Sequence, residues 1–323
     1  MTAARRVLLG GAAYVLGERE LHHSRIEGLA ERARELAMVP KAELWGWGNV
    51  RRTERTLQDL AVEAGRATLT TADVDPADVD ALILCSTRFP GGPRTHGAFT
   101  DDILTGIGLT AATCTGVTLN RCTNLLVGVG LAHALVTAGQ HRRVLVVTTD
   151  RITDERTRME NFALFSDGAA ACLVAAAEAG PLDGAHEIVA CAHLQRPGTL
   201  DWSHEISPDL AREVNDRILT PLDMKTGDLD HLVHPNLYTP VVVLKERQAG
   251  FAPRQLFTDN ITRIGHCFAA DPLINLADLG TAGRLRAGGH QLLASSVPGA
   301  RAAVLLRTPG VLDEPGDDER QPR

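Results

Sequence analysis

Leu119-Asn120-Arg121-Cys122-Thr123-Asn124-Leu125-Leu126 places a cysteine where a short strand, Gly116 to Asn120, turns into a helix running from Cys122 to Thr137. The helix behind it, LLVGVGLAHALV, is apolar nearly all round, which marks a helix enclosed in the middle of a protein. Cys122 is therefore expected inside the fold, at the positive end of a helix dipole. There the dipole and the free backbone N–H groups favour a thiolate, and a thiolate is the nucleophile in thioester exchange. Gly128 and Gly130 cost helix propensity, so they are expected where the helix packs closely. On spacing alone, core packing accounts for Cys122 as well as catalysis does.

Outward from this segment, strands alternate with helices. Strands are read at Val7 to Val15, Ala81 to Ser86, Val144 to Thr149 and Ala169 to Ala175, then at Leu229 to Val233, Leu292 to Ser295 and Ala302 to Leu306. Ser24 with Glu27 reads as a capping box opening a helix that ends before Pro40, and Thr53 to Leu69 is amphipathic. Ser207-Pro208 and Thr239-Pro240 each open a helix. The two halves resemble each other. Asp78-Val79-Asp80-Ala81-Leu82-Ile83 matches Asp228-Leu229-Asp230-His231-Leu232-Val233, and the run from Gly168 matches the run from Gly299. The expectation is an α/β chain of two similar halves, residues 1–178 and 179–308, with near-continuous apolar strands covered by helices on their faces. Residues 309–323 are polar and proline-bearing and read as a disordered tail.

The 323 residues, 44% of them hydrophobic, are enough to bury a large core. A net charge of −7 argues against a nucleic-acid partner. No apolar run is long enough to span a membrane, and the glycine-broken N-terminus reads as a first strand rather than a signal peptide; a cytoplasmic protein is expected. The cysteines at 85, 114, 122, 172, 191 and 267 form no CxxC pair, so no metal site is expected.

From Val79 to Val174 the chain resembles the N-terminal half of a ketoacyl-ACP synthase III. The markers are VDALILCST, then Ala98-Phe99, LNRCTNLLVGVGLAHAL, HRRVLVVTTD and Phe165-Ser166-Asp167-Gly168-Ala169-Ala170. The resemblance covers roughly residues 5 to 308. It implies a thiolase fold, two similar βαβ-rich halves layered α-β-α-β-α, a tight homodimer, and Cys122 as the acyl-carrying nucleophile. It also implies that no cofactor is held permanently, the donor being an acyl-CoA or acyl-ACP thioester. Phe99 stands where such proteins line the partner subunit's acyl pocket.

Condensing members pair the cysteine with a histidine and an asparagine from the second half. Leu232-Val233-His234-Pro235-Asn236 matches the histidine segment with the spacing shifted by about one residue, which makes His234 a catalytic candidate and Asn236 a substrate-binding one. An ordinary strand-end histidine is the other reading. The asparagine of the second motif is replaced: the chain reads Ile264-Gly265-His266-Cys267-Phe268-Ala269-Ala270-Asp271. A histidine here, with aspartate five residues on, resembles a divergent branch of antibiotic and polyketide biosynthesis. That branch includes acyltransferases to oxygen or nitrogen and atypical starter-unit synthases. Condensation needs neutral donors for an enolate oxygen. Transfer to a hydroxyl or amine needs a base, and His266 oriented by Asp271 supplies one. Asp271 before Pro272 is also a good helix start.

Trp47 and Arg51 resemble a pair that holds coenzyme A at the tunnel mouth, and Arg51, Arg52 and Arg55 read as a basic patch for a phosphopantetheine donor or an acidic carrier protein. Three readings follow. The first is an acyltransferase that moves an acyl group from a carrier-protein or coenzyme-A thioester, through Cys122, to the hydroxyl or amine of a small-molecule acceptor in secondary metabolism. The second is a carbon–carbon condensing synthase that makes a starter unit. The third is a non-catalytic partner subunit.

Overall fold

The computed structural model describes residues 5–201 and 207–310; most of the proposed tail, 311–323, lies outside them. In chain order the first half holds β1 (Val7–Leu16), β2 (Arg19–His22), α1 (Leu29–Glu35), α2 (Ala42–Trp45), β3 (Asn49–Arg52), α3 (Leu57–Ala72), β4 (Ala81–Cys85), α4 (Pro93–Ile107), β5 (Thr113–Val117), α5 (Asn124–Thr137), β6 (Arg143–Asp150) and β7 (Gly168–Ala176). The second holds β8 (His186–Gln195), α6 (Pro208–Leu219), β9 (His231–Val233), α7 (Thr239–Gln248), α8 (Asp259–Arg263), α9 (Asp271–Thr281), β10 (His290–Val297) and β11 (Ala300–Arg307).

The sheet order, β5-β4-β6-β7-β1-β8-β11-β10-β9, is a palindrome of the two halves. β4 and β6 are parallel, and β7 and β1 follow antiparallel; β9 and β10 are parallel, and β11 and β8 follow antiparallel. Among the described residues the half-sheets meet only where Leu8 and Leu9 pair with Glu187 and His186. No second-half strand among the described residues matches β5; a single parallel bridge, Leu232 to Leu256, stands in its place. Local bonds confirm the correspondence. The Asp80 N–H donates to Arg143 O, and the Asp230 N–H donates to His290 O. Continuing that register down the hairpins pairs Gly168 with Ala300, one residue later than the sequence match.

Side-chain alternation along the strands divides the core into layers. Leu82 and Leu84 of β4 face one cluster with Leu60, Ala61 and Ala64 of α3 and Ile103 of α4. Ala81, Ile83 and Cys85 face another, with Leu125 and Val129 of α5 and Leu273 and Ile274 of α9. On the far side, Leu292 and Ala294 of β10 pack with Ala211 and Val214 of α6 and Val242 of α7. α5 and α9 thus form a middle layer shared by both half-sheets, and the expected α-β-α-β-α order is present. α5 can lie this close because of Gly128: a Cβ there would stand 2.8 Å from Cys85 Sγ. Gly130 has no such constraint, its nearest neighbour being Cys191 Cβ at 3.9 Å.

Several elements differ from expectation. Ser24 opens no long helix; α1 starts after Gly28, which has φ 70°, and no capping box forms there. The box is instead at Thr56 and Asp59, which cap α3 from both sides. The short strand before Cys122 lies earlier, at β5, and β8 has no counterpart in the sequence reading. Trp47 precedes β3 and Arg51 lies within it; β3 pairs antiparallel with β2 in a separate two-stranded sheet.

Candidate active site

Cys122 sits in a 3-10 turn, Arg121–Thr123, that leads directly into α5. Arg121 has φ 56°, a left-handed conformation that a non-glycine residue adopts at a cost. Its guanidinium donates to Pro298 O at 2.6 Å and Leu200 O at 3.1 Å. Ser295 Oγ donates to Cys122 O at 2.9 Å. The strained turn is thus tied to the β10–β11 hairpin, and Cys122 is left partly exposed.

His266 and Asp271 come from the turn before α9. Both are buried, at 1% and 0% exposure. His266 Nδ1 meets Asp271 Oδ2 at 2.5 Å. Asp271 also accepts from the Asn236 N–H at 2.6 Å, the Cys267 N–H at 2.7 Å and Asn236 Nδ2 at 3.3 Å. As the first residue of α9 it stands where a helix dipole favours negative charge. Burial alone would pull the His266 pKa down, but the Asp271 carboxylate and then Cys122 outweigh it and push the ring up to about 10. His266 Nε2 is buried and forms no hydrogen bond of normal geometry among the described residues. Its interaction with Cys122 is therefore looser than a formed hydrogen bond, as in many unliganded acid–base sites.

His234 is also buried, at 1% exposure. Its Nδ1 stands 2.8 Å from Pro235 O. A carbonyl only accepts, so Nδ1 carries the proton. Burial pulls this imidazole's pKa down, and the neutral ring then presents an unprotonated Nε2. That Nε2 has no partner among the described residues.

Two cavities meet at Cys122, Asn161 and Phe162. One, of about 80 Å³, is lined by Pro235, Leu237, Val241, Lys245, His266 and the Ser296–Pro298 loop. The other, of about 480 Å³, opens past Arg121, Thr87, Glu160 and Phe268. The structure thus brings Cys122, His266 and Asp271 together; His234 is buried next to Pro235, which lines the smaller cavity, and lines neither cavity itself. Asn236 lines neither cavity; its side chain bonds Asp271 and accepts from Asn275 Nδ2 at 3.0 Å. Its side chain thus faces Asp271 and Asn275 rather than either cavity.

The remaining candidates lie elsewhere. Phe99 is 4% exposed and packs edge-on against Phe89 under α4, so its ring is spent within its own chain. Trp47 is buried against His23 and Tyr238. Arg51 is paired with Glu20, Arg55 with Glu63, and Arg52 with Glu155 at 3.2 Å. Three carboxylates therefore offset the expected basic patch. Sequence reasoning missed Lys245, Asn161 and Phe162. Phe165-Ser166-Asp167 had marked the neighbourhood of the last two, and nothing local marks Lys245. No helix among the described residues is long and apolar enough to cross a membrane.

A model of the 3-oxoacyl-[acyl-carrier-protein] synthase III family matches residues 118–189, the segment that carries Cys122. The β-ketoacyl-[acyl-carrier-protein] synthase III of Rhodospirillum rubrum is 34% identical over 143 residues, 43% of this chain and 43% of that protein. The chain thus spans less than half the length of that relative. The corresponding synthase of Agrobacterium fabrum is 25% identical over 334 residues, 94% of this chain and 99% of that protein. Among solved structures, the acyltransferase ChlB3 superposes with a TM-score of 0.79 at 18% identity, over 94% of this chain and 98% of that one. At that identity the likeness is one of fold.

Proposed function

We propose, from its likeness to ketoacyl-ACP synthase III proteins in sequence and fold, that the chain is an acyltransferase, moving an acyl group from an acyl-CoA or acyl-ACP thioester through Cys122 to the hydroxyl or amine of a small acceptor in secondary metabolism. One observation carries the reading. Where condensing relatives need a neutral amide, this chain holds a buried imidazole bonded at 2.5 Å to a buried aspartate, in the cavity of Cys122.

The charges close a cycle. Cys122 attacks as the thiolate with His266 as imidazolium beside it. The thioester carbonyl carbon passes to sulfur, and the departing thiolate takes the His266 proton. Acylation removes the sulfur charge that helped hold the ring protonated. Neutral His266, its tautomer fixed by Asp271, then accepts the acceptor's proton as the acceptor attacks, and the imidazolium–thiolate pair is restored. The two cavities would separate donor from acceptor at Cys122. Asn236 serves as a positioning residue for Asp271.

His234 speaks against the condensing alternative. Stabilising an enolate oxygen takes an N–H donor, and a neutral His234 bonded to Pro235 O offers a lone pair instead. The retained Cys122, His266 and Asp271 speak against a non-catalytic subunit. We further propose a division into halves at residues 178 and 179, a homodimer, a cytoplasmic location and a pathway of the antibiotic or polyketide kind. The resemblance carried by the segment from Gly265-His266 to Asp271 prompts the last of these.

Intact-protein mass spectrometry with a panel of acyl thioesters tests the mechanism. Wild type gains the acyl mass, and His266→Ala gains it more slowly but to completion. Transfer from acyl-Cys122 to an acceptor slows by about 10²- to 10⁴-fold in His266→Ala, the usual worth of a general base. Normal transfer by His266→Ala would remove the base assignment.

A further inference from the structure

We propose that Lys245 makes the smaller cavity beside Cys122 an anion subsite, so that one of the two substrates bears a carboxylate that seats there. The inference deepens the acyl-transfer reading and rests on it. Lys245 is on α7, is 5% exposed, and lines the same cavity of about 80 Å³ as Cys122 and His266. Most of the remaining lining is apolar: Phe162, Pro235, Leu237, Val241 and Val297.

Behind Lys245 lies a buried group with unequal charge. Lys245 Nζ is 3.3 Å from Glu246 Oε1. Arg301 grips the same carboxylate with Nη1 to Oε1 and Nη2 to Oε2, each at 3.2 Å. Glu246 and Arg301 are each 1% exposed. Glu246 is the one acid paired with either cation among the described residues. Two cations share one anion; burial lowers the Lys245 pKa against the opposing pull of Glu246, and with Lys245 protonated the group carries one positive charge with little water to solvate it. Burial would raise the Glu246 carboxyl, yet Arg301 and Lys245 hold it down at about 2, so it stays ionised and cannot supply a further charge. Arg301 is also held by Asn215 and Ser296 and is fixed in its place. Lys245 is the member that reaches the cavity. A buried cation without a full partner is costly, and a substrate carboxylate would complete the pair. The small volume restricts that substrate to a short acyl chain or a small acceptor.

Isosteric pairs read this charge. In the donor arm, Cys122 loading from malonyl-CoA is compared with loading from isovaleryl-CoA. In the acceptor arm, transfer to a short hydroxy acid is compared with transfer to its amide. Independently of any acyl chemistry, Cys122 alkylation by iodoacetate is compared with that by iodoacetamide. The expected result is a preference of about tenfold or more for the anionic member in one arm, which names the source of the carboxylate, and its loss in Lys245→Met. The iodoacetate-to-iodoacetamide ratio should fall about tenfold in the same variant. An unchanged ratio with no preference in either arm overturns the subsite. If no thioester loads Cys122 but the ratio still falls, the acyl-transfer reading fails and the anion subsite stands. Should Lys245→Met not fold, wild type decides: succinate should protect Cys122 from iodoacetamide and succinamide should not, and equal protection by the two overturns the proposal.

Discussion

The turn that carries Cys122 and the turn that carries His266 and Asp271 occupy equivalent places in the two halves. Each passes through a non-glycine residue with positive φ, Arg121 at 56° and Phe268 at 52°, then through a 3-10 turn into a middle-layer helix. Each helix starts on a buried side chain with the same two bonds. Asn124 Oδ1 accepts from the Asn120 N–H at 3.0 Å, and Asp271 Oδ1 accepts from the Cys267 N–H at 2.7 Å. Asn124 Nδ2 reaches Ser86 O at 3.0 Å, and Asp271 Oδ2 receives the Asn236 N–H at 2.6 Å. Ser86 and Asn236 end matching strands. The difference is one atom type. An amide can donate to a carbonyl, so Asn124 closes its turn without charge. A carboxylate only accepts, so Asp271 gathers N–H donors and holds the imidazole of His266. The same scaffold thus presents a nucleophile from one half and an oriented base from the other.

The largest effect should come from the nucleophile. Cys122→Ala should take up no acyl mass from any thioester, while a Cys267→Ala protein still loads. An adduct on Cys122→Ala would place the acyl group elsewhere and leave the first turn a scaffold only.

Next comes Asp271→Asn, which gives the second turn the first turn's chemistry. Transfer should fall on the order of 10³- to 10⁴-fold, the cost of losing the carboxylate behind a catalytic imidazole. The pH dependence of stability should change too. His266 titrates at about 10 in the fold against an ordinary 6.5. A raised pKa means the pair's stabilisation is complete below about 6.5 and is lost as pH climbs through about 10. Wild type should therefore lose melting temperature across that window, and Asp271→Asn should lose much less. Equal slopes would show that the His266–Asp271 ion pair does not form.

The reverse exchange, Asn124→Asp, probes the first turn. Its carboxylate would face Ser86 O at 0% exposure with no histidine to receive it. Chemical denaturation should show a loss of about 1–3 kcal/mol, the cost of an unsatisfied buried polar group. A neutral outcome would mean that the first turn tolerates charge as the second does, and the contrast between them would dissolve.

The repeat could be read because it rests on local signals. Asp78–Ile83 and Asp228–Val233 fix a turn and a buried strand by their own residue types, and the structure gives Asp80 and Asp230 the same backbone bond. Cys122, His266 and Asp271 were legible for a similar reason, since strand-to-helix turns mark themselves in sequence. Trp47 and Arg51 were misplaced because their partners, Tyr238 and Glu20, lie on other segments. β8 was missed because VACAHL is too short and too mixed to separate from a loop. Lys245 escaped for the clearest reason: Lys245-Glu246-Arg247 reads as a solvated helix face. Only the packing of α7 against Arg301, a strand residue far along the chain, turns two of the three inward.

The smallest effect tests how much of the second turn's behaviour depends on Asn236. Asn236→Ala keeps the backbone N–H that Asp271 accepts at 2.6 Å and removes the side-chain bonds at 3.3 Å to Asp271 and 3.0 Å to Asn275. Stability should fall by about 1 kcal/mol, the net worth of an ordinary buried hydrogen bond. If Asn236 only positions Asp271, loading of Cys122 should be unaltered, KM for the acceptor should hold, and kcat for transfer should drop modestly. The acidic limb of the pH–rate profile for transfer, set by His266 as the base, should move to lower pH as the carboxylate loosens its hold on the ring. A rise in acceptor KM at constant kcat would instead return Asn236 to substrate binding, and the two turns would then differ in what they touch as well as in how they are charged.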